Sequence, residues 1–164
     1  MKERHHYSVT IKWTGNKGTG TDHYRSYERS HTIAIENKPD ILSSSDPSSR
    51  GDKTKHNPED LLVSSVSACH MLWYLHLCAD AGVVVVDYAD NATGIMNNSS
   101  NGSGRFTKVT LNPVVIVAQD SMISKAIELH KKANELCPIA NSLNFPVRYN
   151  PTAKTNDTKK NKEK

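Results

Sequence analysis

The sequence predicts one domain built from both strands and helices. Three observations carry that reading. The segment 6–13 places apolar residues at every second position, one apolar stretch is too long for a strand and opens on a helix-start signal, and an amphipathic helical stripe follows downstream. At 164 residues with 36% hydrophobic content, the chain can bury one ordinary core and is short for two domains of typical size.

Tyr7, Val9, Ile11 and Trp13 fall on one face of a strand over 6–13. The glycine-rich stretch 15–20 lacks the Gly-Lys-Ser/Thr ending of a phosphate loop and precedes no helix, so it reads as a hairpin or loop. A second strand is expected over 24–36, then a long loop over 37–56 rich in Ser, Asp, Pro and Lys; loops of that length are uncommon unless they serve a function. Asn57, Pro58, Glu59 and Asp60 form a helix start: a cap, a proline at the first helical position, then two acids where the helix dipole favours negative charge.

That helix is expected to run to about Asp80 and stop at Gly82. It is apolar almost all round from Leu61 to Leu77, which argues for burial on most sides, including against a second subunit. A strand from Val83 towards Met96, a turn over 97–104 and a strand over 106–118 interrupted by Pro113 come next. A second helix from Asp120 or Ser121 presents Ile123, Ala126, Ile127, His130 and Ala133 as its stripe, and Val147 and Tyr149 suggest a last short strand. The domain is therefore drawn over 1–150, with 151–164 as a disordered lysine-rich tail.

The net charge of +4 sits largely in that tail, with Lys154, Lys159, Lys160, Lys162 and Lys164. The remainder is close to neutral, which speaks against nucleic-acid binding, since phosphate recognition wants a basic stripe on a folded surface. The first residues are charged and carry no apolar run, so no signal peptide or membrane anchor is expected there and the cytoplasm is the expected location. Four Asn-x-Ser/Thr matches, at Asn91, Asn98, Asn101 and Asn156, are set aside because they need a secretory route.

Three cysteines in a chain expected to be cytosolic do not read as a structural disulfide framework. Cys69 and Cys78 are nine residues apart, and so on opposite faces of the first helix, at about 100° per residue. Cys78, among Leu75, Leu77 and Ala79, reads as a small buried hydrophobe. Cys69 follows Ser64, Ser65, Ser67 and Ala68, small residues that admit either a neighbouring helix or a substrate, so structural and reactive roles stand level. Cys137 precedes Pro138 and reads as the cap of a short helix over 138–143, where a thiol's pKa is commonly lowered; ending the previous helix inside the core is the equal alternative. No metal is expected: His5, His6, His56, His70 and His76 supply ligand types, but no Cys-x-x-Cys or His-x-x-x-His spacing occurs. No cofactor motif appears either.

The segment from Asn57 to Cys69, with its Asn-Pro-Glu start and a cysteine ten residues after the glutamate, followed downstream by Glu135-Leu-Cys137-Pro138, resembles the OsmC/Ohr family of osmotically induced and organic-hydroperoxide-resistance proteins, and within it the OsmC-like branch. The resemblance implies an α+β fold in which antiparallel sheets wrap long central helices of an intertwined homodimer, with active sites at the subunit interface. It also implies a peroxidase in which Cys69 attacks a hydroperoxide and Cys137 resolves the product as a disulfide. Glu59 matches the family glutamate, and Arg50 fits the OsmC-like spacing of the activating arginine, with Arg25 and Arg29 as alternatives.

A thiol in an apolar helix pair has its pKa raised by desolvation, so a cation must compensate; an arginine held by a carboxylate would serve. Ten helical residues span about 15 Å, so Glu59 cannot touch the Cys69 of its own straight helix, and the glutamate and arginine are expected from the partner subunit. Met71, Leu72 and Trp73 near the thiol suggest an apolar pocket that favours organic peroxides over hydrogen peroxide. An external dithiol, lipoyl-type in the family, must close the cycle. The competing reading is a non-enzymatic, stress-induced dimer that binds a small apolar molecule.

Overall fold

A computed structural model of the chain describes residues 4–156. They gather into two compact units that divide between Leu62 and Val63, where the sequence reading drew one domain over 1–150.

The first unit holds an antiparallel sheet of β1 (Thr10–Trp13), β2 (His31–Ala34) and β3 (Ile41–Ser43), in the order β1-β2-β3. Both long strands expected from the alternation are shorter than read, and β3 lies inside the segment read as loop. The residues between β1 and β2 are held by their own contacts. Gly15 sits where an added Cβ would fall 1.9 Å from the Glu28 carbonyl oxygen, so only glycine permits the approach. Trp13 donates its indole N–H to the same oxygen at 2.8 Å. The helix start behaves as expected: Asn57 Oδ1 accepts from Asp60 N–H at 2.7 Å, while Asp60 Oδ2 accepts from Asn57 N–H at 3.4 Å, a reciprocal cap that satisfies two otherwise orphaned donors.

That cap opens helix α1 (Pro58–Asp80), whose main length belongs to the second unit. It ends at a glycine with φ of 70°, after which Val83 N–H returns to the Cys78 carbonyl at 2.8 Å. By length and composition alone α1 could cross a membrane, yet Tyr74 and Cys78 are part of a core that also takes Val83, Val115, Val117, Ala126, Leu129 and Ala133. Within this chain the buried residues of α1 form one stripe, Val66, His70, Tyr74 and Cys78. Leu72 is 63% exposed.

Two three-stranded sheets complete the second unit. One orders β4 (Val85–Asp90), β7 (Pro113–Val117) and β9 (Thr152–Thr155); the other orders β5 (Thr93–Asn98), β6 (Gly104–Leu111) and β8 (Val147–Tyr149). Each pairs its first two strands antiparallel and its last strand parallel, so these sheets are mixed and not purely antiparallel. Parallel pairing needs a crossover, and α2 (Ile123–Leu136) with the short α3 (Pro138–Asn141) provides it. Helix α2 buries Ala126, Leu129, His130 and Ala133; Ile127, expected in that stripe, is 42% exposed and Leu129 takes its place. Pro113 opens β7, a strand position that does not require its missing N–H. The fold is α+β. Its ordered part passes the boundary drawn at 150, because β9 lies within the segment read as tail; Lys159, Lys160, Lys162 and Lys164 lie outside the described residues.

Candidate active site

The two cysteines that the family resemblance singled out meet in the second unit. Cys69 lies mid-way along α1 and is half-buried; Cys137 follows the last residue of α2 and is fully buried. Their sulfurs are 2.7 Å apart, with the Cys137 thiol donating to Cys69 Sγ. Both are free thiols. A disulfide needs about 2.05 Å between sulfurs, so the pair stands just beyond bonding distance.

Pro138 explains the local geometry of Cys137. The ring excludes its predecessor from helical angles, and Cys137 stands at φ −68° and ψ 107° as the cap of α3, its sulfur accepting from Ala140 N–H at 3.4 Å. The expected lowering of its pKa does not follow. Burial pushes the Cys137 thiol up to about 11, the contact with Cys69 adds to the rise, and the Ala140 and Ile139 amides only partly oppose it. Desolvation outweighs two amides from a four-residue helix.

Cys78 is where the spacing put it, buried on the opposite side of α1, and burial raises its pKa too. Of the apolar residues expected around the thiol, Met71 lines a surface hollow with Val63, Ser67, Ala68, Tyr88 and Asp90, while Leu72 and Trp73 line another with His76. Cys69 lines neither of these two.

Arg50 and Glu59 belong to the first unit. Arg50 is exposed, ends a short 3-10 turn at φ 64°, and holds its guanidinium carbon 6.0 Å from the Tyr24 ring centroid. Glu59, in the first turn of α1, has one carboxylate oxygen that is buried and finds no hydrogen-bond partner among the described residues. Arg29 is committed elsewhere: its guanidinium lies 4.3 Å from both the Tyr24 and Tyr27 rings and donates to the carbonyls of both residues. Arg25 is exposed.

Sequence reasoning passed over a second buried pair. His70, next to Cys69, and His130, in the stripe of α2, are both buried and share a hydrogen bond of 2.9 Å between His70 Nε2 and His130 Nδ1. Their rings stack, with Tyr74 against His130 at 3.8 Å between centroids and Tyr149 against His70 at 5.9 Å. Burial holds both imidazoles well below the usual range, His70 at about 4 and His130 at about 3, so both are neutral at physiological pH. The only hint in the sequence was a histidine inside an otherwise apolar stripe. No group of three or more His, Cys, Asp or Glu that could hold a metal occurs among the described residues.

A mixed α+β chain that brings two distant thiols together at a helix cap defines a class of dithiol protein. The sequence model described as OsmC-like protein matches residues 51–151, and the chain belongs to that family. No protein with a curated function matches it. Among solved structures, an OsmC-like protein of unknown function from Vibrio cholerae is 29% identical, with a TM-score of 0.81 over 90% of this chain and 99% of that one. An organic hydroperoxide resistance protein from Elizabethkingia anophelis, with thiocyanate bound, is 17% identical at a TM-score of 0.66, covering 95% and 100%. An organic hydroperoxide resistance protein OsmC from Legionella pneumophila is 16% identical at 0.65, covering 92% and 98%. The latter two likenesses speak to the fold.

Proposed function

We propose that the chain is a thiol-dependent peroxidase that reduces organic hydroperoxides, with hydrogen peroxide as a second substrate. The observation that carries this is the 2.7 Å approach of Cys69 and Cys137 sulfurs across 68 residues of sequence. The names of the Elizabethkingia and Legionella relatives agree with it.

Exposure and acidity divide the labour. Cys69 is the more accessible sulfur, whereas Cys137 is sealed and burial pushes its thiol pKa up, which disfavours its thiolate. Cys69 thiolate attacks the terminal peroxide oxygen. The S–O bond forms as the O–O bond breaks, and the alkoxide leaves as alcohol after taking a proton. Cys137 then attacks the Cys69 sulfenic acid, the S–S bond forms, and hydroxide leaves as water with the Cys137 proton. A dithiol, lipoyl-type in our reading, returns both cysteines to thiols, and a reducing cytoplasm suits that step.

A homodimer completes this reading. Leu72 on α1 is a large exposed apolar side chain of the kind a second copy would cover, and the unpartnered oxygen of Glu59 suits a guanidinium. Glu59 starts about 15 Å of helix before its own Cys69, so we assign the Glu59 and Arg50 that serve a given Cys69 to the partner subunit. Adding one equivalent of cumene hydroperoxide to reduced protein and counting thiols tests the function. Rapid loss of two thiols, abolished by Cys69→Ser, is expected; loss no faster than that of an ordinary exposed thiol overturns the enzyme and leaves a small-molecule-binding dimer.

A further inference from the structure

The two cysteines come from different helical segments, and nothing in their own chemistry fixes how those segments are turned towards one another. Successive residues of α1 are about 100° apart around its axis, so a rotation by one residue would put His70 or Ala68 where Cys69 now faces Cys137. We propose that the His70–His130 pair is the positioning device that sets this rotation and thereby keeps Cys137 within bonding reach of Cys69.

Several observations converge on it. His70 is the residue after Cys69, and His130 lies seven residues, about two turns, before Cys137. Their 2.9 Å hydrogen bond joins α1 directly to α2. It is buried, so water cannot substitute for either partner. The bond is directional and tolerates little rotation of α1. The stack adds flat surfaces on both sides, Tyr74 from α1 itself and Tyr149 from β8. A plain apolar contact would fill the same space with less orientational restraint. The pair also carries a burden that packing alone would avoid: His70 Nδ1 and His130 Nε2 are buried without partners. Whichever ring supplies the shared proton, one orphan is a donor and the other an acceptor. Two histidines in a core that could have held leucine and phenylalanine are explained by what they fix.

The inference rests on the dithiol cycle proposed above, and the experiment separates the two. Three proteins are compared: the parent, His130→Phe, which keeps a ring against Tyr74 but cannot hydrogen-bond, and His130→Asn, whose side-chain oxygen can stand near the position of Nδ1. The readout is the equilibrium between the Cys69–Cys137 dithiol and glutathione, which gives the effective concentration of one thiol at the other without any peroxide. His130→Phe is expected to lower it at least tenfold while retaining a cooperative unfolding transition, and His130→Asn to recover most of it. Parent-like values in a folded His130→Phe overturn the proposal. Nitrogen-15 spectra of the parent's histidines provide a reading that survives any misfolded variant: scalar coupling across the N–H···N bond is expected, and its absence overturns the proposal. If the coupling and the glutathione result hold while peroxide leaves the thiols untouched, the peroxidase reading fails and the positioning stands.

Discussion

Ser67 on α1 donates its hydroxyl to Asp90 Oδ2 at 2.5 Å, while Asp90 Oδ1 accepts the backbone N–H of Asn112 at 2.6 Å. One carboxylate at the end of β4 thus binds the helix that carries Cys69 and the link between the two sheets. Asp90→Ala strands both donors in a partly buried place, where each lost partner costs about 1–3 kcal/mol. A urea unfolding free energy lowered by that order is expected, and a value equal to the parent's would show that the network contributes nothing.

The unequal exposure of the two thiols predicts an order of modification. Iodoacetamide at pH 8 should label Cys69 first, with Cys137 following only after denaturation, because Cys137 is buried and its pKa stands near 11. Peptide mass spectrometry reads the sites. Preferential labelling of Cys137 would reverse the roles assigned above. In Cys137→Ser, cumene hydroperoxide should leave Cys69 as a sulfenic acid that dimedone captures, or as its overoxidised products.

Acid should destabilise the fold through the histidine pair. Both folded pKa values lie below the unfolded value near 6.5, so the unfolded chain binds protons that the folded one refuses. The contribution is fully present above pH 6.5 and is lost as pH falls from there through about 4, at up to about 1.4 kcal/mol per pH unit for each histidine. Urea midpoints between pH 7 and 5, where carboxylates contribute little, should fall more steeply for the parent than for His130→Phe. Equal slopes would mean that His130 takes up its proton as readily in the folded chain as in the unfolded one.

Among the arginines, the peroxidase reading expects Arg50→Ala to slow Cys69 oxidation by tenfold or more, with Arg25→Ala near the parent. Arg29→Ala should instead loosen the segment between β1 and β2, since that guanidinium is wedged between two tyrosines and tied to their carbonyls. Competition kinetics against a reference thiol for cumene hydroperoxide decides among them. A slow Arg25→Ala beside a normal Arg50→Ala would move the activating role.

Local signals in the sequence resolved what depends on neighbours. Asn57 caps α1, the glycine after Asp80 ends it, Pro138 turns Cys137 into a cap, and each follows from side-chain or ring sterics within a few residues. Features set by distant partners were not legible. The run from Val83 towards Met96 gave no sign that the chain breaks after Asp90, and the break between β6 and β7 at Asn112 read as an interruption of one strand by Pro113. β9 looked like tail because Thr152–Thr155 has little apolar content of its own; it is ordered by pairing along β7. The His70–His130 pair joins residues 60 apart, and each alone resembles an ordinary polar interruption of a helix. The acidity of Cys137 was misjudged for the same reason: a cap position is local, but depth is not.

The breaks at Asn112-Pro113 and Asn150-Pro151 lie side by side. Asn150 N–H reaches the Leu111 carbonyl at 2.9 Å, and its side-chain amide donates to Asn112 Oδ1 at 3.2 Å. Two chain segments therefore bend at the same level, like a doubled seam, and pass together from one sheet into the other. Trimming the gene at codon 150 would unpick that seam and leave the side of β7 that Thr152–Thr155 cover unpaired, a bare apolar margin along 114–117. Such a margin is an invitation to strand-to-strand stacking between molecules, so the shortened protein should precipitate where the full chain stays dispersed.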